Sequence, residues 1–169
     1  YRSLNQRKIY LEKEQLYLSE IELQITFAEK AYSDFLITIN SKEYLSFYHA
    51  HHFLIHTANI AKLIDLKKRY YSFEFKNCDV NLKKFKRLRN HLEHFDERLD
   101  RFIEERWGDT IFDLNIVTGS KGFPAFAAIR ALNGTNFYFL GEEYDLQTIY
   151  NEIVKLSELI SRHKKKINK

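Results

Sequence analysis

A chain of 169 residues with 44% hydrophobic, 30% charged and 15% aromatic residues has a folding composition and the length of one domain. The single cysteine, Cys78, excludes an intramolecular disulfide and offers no zinc-ligand pattern, so a reducing cytoplasm is the expected compartment. Net charge +4 and a pI near 9.0 admit an anionic partner, yet 27 basic against 23 acidic residues fall short of a nucleic-acid coat protein, and no apolar run reaches bilayer length.

All five glycines and the only proline, Pro124, fall between positions 108 and 141. These breakers divide the chain into a helical body, an insert and a helical tail. The first helix repeats apolar residues every seventh position, at Leu4, Leu11, Leu18, Ile25, Tyr32 and Ile39. From Leu18 onward Ile21, Ala28 and Phe35 complete the three-four seam of a helix packed lengthwise on others. At about 1.5 Å per residue this rod reaches roughly 50 Å, and its N-terminal third is expected to project or to meet a second protomer. Asn40 and Glu43 have the spacing of a capping box, which predicts a second helix through about Leu66.

The segment "KKRYYSFEFKNCD" reads as a connection, with Asp79 as the cap of a third helix ending near Trp107. Phe85, Leu88, Leu92, Phe95, Leu99 and Ile103 form its apolar stripe. In the insert, "IFDLNIV" alternates with period two, and Asn133-Gly134 sits between apolar runs, a hairpin signal. A small antiparallel sheet is expected there. The last helix, about 145–165, should bury Leu146, Ile149, Ile153, Leu156 and Ile160 before the basic end "RHKKKINK". The predicted fold is a mainly α antiparallel helical bundle, one domain over 1–169, with a small β-containing insert at 108–141.

The third helix carries the most chemistry. With Leu92 at 0° on a wheel of about 100° per residue, the apolar stripe faces the core, and Asn90, His94, Glu97 and Arg101 form one polar line opposite. Arg89 falls at the border, where its long arm can reach outward beside Glu93 and Asp96. Arg89, Asn90 and His94 can thus converge, whereas His91 lies on the other flank.

Arg89-Asn90-His91-Leu92-Glu93-His94 resembles the signature of the HEPN superfamily of helical-bundle proteins: an arginine, often followed by a polar residue, with a histidine after four to six intervening positions. The wider "RNHLEHFDERL", with "NIAKLI" at 59–64 upstream, is similar to uncharacterised bacterial proteins associated with that superfamily. The resemblance covers roughly residues 18–107 and the last helix. It implies a metal-independent endoribonuclease acting as a homodimer, in toxin or phage-defence roles, with no cofactor and with an antitoxin or regulatory protein as a further partner. A histidine suits the removal of a 2′-hydroxyl proton, which assigns His94 as base. A guanidinium can hold the charged phosphorane by paired hydrogen bonds, which assigns Arg89, while Asn90 orients the imidazole or binds phosphate. Such a reaction leaves a 2′,3′-cyclic phosphate and spares DNA.

Lys83, Lys84, Lys86 and Arg87, just ahead of the motif, together with Arg101, are the candidate contacts to the RNA backbone. Family toxins controlled by nucleotide addition carry a tyrosine two places after the histidine; Asp96 stands there, so that regulation is not implied. The alternative reading is a catalytically inactive HEPN-like dimer serving as an interaction or RNA-binding module. His49, His51, His52 and His56 span too much helical rise to share one ion, and Leu45, Phe53, Ile60 and Leu63 share their face, so they are expected at helix boundaries rather than as metal ligands.

Overall fold

The computed structural model describes residues 4–66, 81–119 and 121–167. The fold is mainly α. Helices α1 (Leu4–Asn40) and α2 (Leu45–Leu66) pair lengthwise, and α3 (Leu82–Glu93) lies against α2. Next comes α4 (Phe95–Glu104), then a small sheet, then the closing helix α5 (Leu146–Ile167). Among the described residues no helix is long and apolar enough to cross a membrane.

The expected seam of α1 is the core: Leu18, Ile21, Ile25, Ala28, Tyr32, Phe35 and Ile39 are all buried. Asn40 does not cap α2, however. It is the last residue of α1, and Lys42 at φ 55° turns the chain before α2 begins at Leu45. The N-terminal third of α1 meets α5 at its near end, while Lys8 and Ile9 further out are exposed. Glu14 is buried against His163 of α5 at 3.1 Å, and Lys164 reaches Glu22 at 2.6 Å. The connection at 67–79, with Asp79 as a cap, lies outside the described residues.

The predicted third helix is two helices. His94, at φ −115° and ψ 35°, ends α3 and precedes α4, and its carbonyl accepts the first helical bond of α4 from Arg98. The break changes which residues are buried. Phe85 and Leu88 of α3 enter the core as expected, but in α4 Phe102 is buried and Ile103 is exposed. Phe95 turns to stack on Phe139 at 5.3 Å between ring centroids.

The insert forms a four-stranded sheet in the order β1 (Asn115–Val117), β2 (Arg130–Asn133), β3 (Asn136–Phe139), β4 (Glu142–Asp145). It is mixed rather than wholly antiparallel, because β1 runs parallel to β2. The β2–β3 hairpin closes through Gly134 and Thr135, one residue beyond the Asn-Gly signal. The β3–β4 hairpin turns at Leu140 and Gly141, both at positive φ, as a tight two-residue loop requires. Strand β3 drives Phe137 and Phe139 into the helical core, where Phe137 meets Phe47 of α2. Asp145 ends β4 and caps α5, accepting from the Thr148 backbone N–H at 3.1 Å. The buried line of α5 is the predicted one, Leu146, Ile149, Ile153, Leu156 and Ile160. Trp107, beyond α4, stands exposed.

Candidate functional site

Helix α3 presents different chemistry on its two flanks. On the flank facing α2, Arg89 is partly buried and clamped. Its Nε and Nη2 donate to Asn90 Oδ1 at 3.2 and 2.9 Å, and Glu93 lies 3.6 Å from Nε. Glu93 also pairs with Lys62 of α2 at 3.4 Å. Arg89, Glu93 and Lys62 line a shallow cleft of about 160 Å³ floored by Ile55, Ala58 and Leu92. The carboxamide oxygen of Asn90 is therefore spent on the arginine rather than on an imidazole.

His94 occupies the α3–α4 break with its side chain 58% exposed, and Glu97 in the first turn of α4 lies 3.7 Å from its Nδ1. The carboxylate nearest this ring is thus Glu97. Because the helix stops at His94, the single polar line Asn90, His94, Glu97, Arg101 does not persist. Arg101 sits exposed in the last turn of α4, and Asp96 is exposed near its start. Lys83, Lys84 and Arg87 are exposed on α3 and Lys86 is half-buried. Arg87 is committed to Glu142 of β4, with Nη2 at 3.1 Å and Nε at 3.2 Å from the same carboxylate oxygen.

The other flank of α3 holds what periodicity set aside. His91 is 1% exposed. Its Nδ1 lies 2.7 Å from the Tyr144 hydroxyl and 3.3 Å from Glu142 Oε2, and its ring packs on Phe139 at 5.0 Å. The Tyr144 hydroxyl donates to Glu142 at 3.2 Å, and Arg98 of α4 donates to the other carboxylate oxygen at 3.4 Å. With the tyrosine proton given to Glu142, the consistent tautomer has Nδ1–H donating to the Tyr144 oxygen. Nε2 is then a buried acceptor with no partner among the described residues.

Burial lowers the His91 pKa, against the opposing pull of Glu142, and the nearby Arg98 and Arg87 lower it further, so the ring is neutral at neutral pH. Burial and the Glu142 charge push the Tyr144 hydroxyl well above its ordinary range. For Glu142, burial alone would raise the pKa, but His91, Arg87 and the Tyr144 hydrogen bond together hold it below the usual carboxylate value.

Two of these three groups, Glu142 and Tyr144, come from β4, about 50 residues away in sequence. Only a histidine three places after Leu88 and four before Phe95, on the apolar side, hinted at burial.

The histidines of α2 lie at helix boundaries. His56 Nδ1 is 2.9 Å from Gln24 Oε1 of α1, His51 packs near Phe139, and His52 near Tyr48. Compared with protein-family models, curated proteins and solved structures, the chain matches none.

Proposed function

We propose that this chain is a metal-independent endoribonuclease of the HEPN type, cleaving RNA as a homodimer in a toxin or phage-defence setting. The observation that carries the reading is the helix break at His94. It leaves an exposed imidazole at the end of the helix that carries the clamped Arg89, five residues on, with Glu97 3.7 Å from Nδ1. In this reaction His94 Nε2 takes the proton of a ribose 2′-hydroxyl, whose oxygen attacks the adjacent phosphorus. Arg89 faces the charge of the phosphorane, and Glu93 and Asn90 fix its guanidinium in advance. The bond to the 5′-oxygen breaks, that oxygen takes a proton from a second acid, and a 2′,3′-cyclic phosphate remains. A two-fold dimer brings a second copy of the motif and supplies that acid.

The test is RNA incubated with a chelator, comparing the native chain with Arg89→Ala and His94→Ala. The expected result is chelator-resistant cleavage leaving cyclic phosphate ends, reduced by about 10²- to 10⁴-fold in His94→Ala. Single-stranded DNA should survive. Identical residual cleavage in all three proteins would remove the assignment.

A second reading has its own support. Asn90 and Glu93 already occupy the Arg89 guanidinium, as befits a catalytically inactive HEPN-like module that binds RNA or a regulatory protein through the same face. Native-level RNA binding without any cleavage identifies it.

A further inference from the structure

Glu142 opens β4 with a carboxylate that gathers donors from both sides of the α3–α4 break. From α3, Arg87 donates to Oε2 through Nη2 at 3.1 Å and Nε at 3.2 Å, and His91 Nδ1 lies 3.3 Å from the same oxygen. From α4, Arg98 donates to Oε1 at 3.4 Å. The Tyr144 hydroxyl, from β4 itself, completes the set at 3.2 Å. Arg87 and His91 precede His94 by seven and three residues, and Arg98 follows it by four. One side chain of the sheet is thus bonded to both helices that meet at His94.

Within a continuous helix the backbone ladder fixes the direction of each turn. At His94, with φ −115° and ψ 35°, the ladder is interrupted, and the direction in which α4 leaves is set by contacts made across the junction. Phe95 stacked on Phe139 is one such contact, but apolar burial has little directionality. A hydrogen bond between charged groups has more. Among the described residues, Arg98 to Glu142 is the side-chain hydrogen bond that ties α4 to β4. Arg98 is 34% exposed and Glu142 26%, so water competes less for this pair than for a surface one. Glu97 precedes Arg98 by one residue. Holding Arg98 therefore holds the turn that brings the Glu97 carboxylate within 3.7 Å of His94 Nδ1.

We propose that Glu142 is a positioning residue for His94. It fixes the direction of α4 against α3, through Arg98 on one side and Arg87 and His91 on the other, and so sets the Glu97 carboxylate beside the imidazole; its part in cleavage rests on the ribonuclease reading of His94. Both carboxylate oxygens are needed, Oε2 for α3 and Oε1 for α4. A glutamine there offers one acceptor oxygen and turns an amide N–H toward a donor, so it cannot serve Arg87 and Arg98 together.

The experiment uses three variants of the full chain: Glu142→Gln, Arg98→Met and the two combined. Arg98→Met keeps an aliphatic stem and removes the α4 arm alone, so it reports on the tie even where Glu142→Gln unfolds the chain. Hydrogen exchange followed by NMR reads the junction without reference to activity. Amides 98–102 should exchange about tenfold faster in each single variant, amides 149–156 of α5 should keep native rates, and the His94 ring resonances should move. On RNA, kcat should fall about 10- to 100-fold in each single variant while KM changes by less than about twofold, and the double variant should be no slower than Glu142→Gln.

Native exchange at 98–102 with unmoved His94 resonances in Arg98→Met, or a native kcat in that variant, would overturn the positioning role and leave the ribonuclease reading standing. Additive losses in the double variant would show two separate effects and overturn it as well. If the native chain cleaves no RNA the ribonuclease reading falls, and faster exchange at 98–102 with moved His94 resonances would still establish the tie.

Discussion

Acid acts on His91 through its second ring nitrogen. Protonating the imidazole adds a buried Nε2–H with no acceptor among the described residues, and places the charge among Arg87 of α3, Arg98 of α4, and Glu142 and Tyr144 of β4. Glu142 favours that charge; burial and the two arginines oppose it. The folded-state pKa is lowered, so on acidification the unfolded chain takes up this proton first. The linked stability is complete above the unfolded value of about 6.5 and is lost as pH falls below it toward the folded value. Glu142, also lowered, adds a further loss at more acidic pH. Thermal melts between about pH 7 and about pH 5 should show a midpoint falling with pH, and His91→Phe, which keeps a ring in the site but cannot titrate, should flatten that slope. An unchanged slope in the variant would show that His91 does not carry it.

At the level of elements, the β3–β4 turn locks the sheet to α4. Gly141 has φ 76°, and a side-chain carbon there would come within 3.2 Å of the Phe126 carbonyl and 3.4 Å of the Phe102 ring. Gly141→Ala should cost about 1–2 kcal/mol from the left-handed backbone alone, measurable by urea unfolding, and a variant as stable as the native chain would contradict the packing.

The same turn marks where sequence reading ended. Helices α1 and α5 were legible because a single periodicity decided which residues they bury, and that seam is the core. The α3–α4 break was not, since nothing local in "LEHFDERL" opposes a helix. Phe95 and Phe102 rotate to meet Phe139 and the Gly141 turn, partners about 40 residues on. For the same reason periodicity put Arg89 beside Asn90 but ran their polar line on through His94 to Arg101, and could not find the clamp on Arg89 or the buried trio of His91, Glu142 and Tyr144. Strand β1 was legible as a strand, but its parallel pairing depends on the route of the chain through 118–129, which has no periodic signal.

For the molecule as a whole, the proposed homodimer has a surface to use. The outer side of α1 leaves Leu16, Leu23 and Phe27 exposed in one stripe, Leu16 at 72%. Leu16 borders a cleft completed by Leu63 of α2, while the neighbouring Lys62 borders the Arg89 cleft. A two-fold contact through α1 and α2 would cover this apolar stripe. Sedimentation analysis should give twice the chain mass, and Leu16→Glu with Leu23→Glu should yield a folded monomer. A native monomer at all concentrations would defeat the dimeric mechanism.

Segment 108–141 has the sequence character of an insertion, but it does not behave as one. Phe137 and Phe139 fill the space between the helices, and Gly141 lies beneath Phe102. Strand β4 directly after it brings Tyr144 to His91. Excising the segment would not leave a smaller bundle. It would open a hole lined by Phe47, Phe95 and Phe102 and strand an imidazole inside it. The minimal folding unit of this protein is therefore bundle and sheet together, and any shortened variant must keep both or redesign the face of α3 between them.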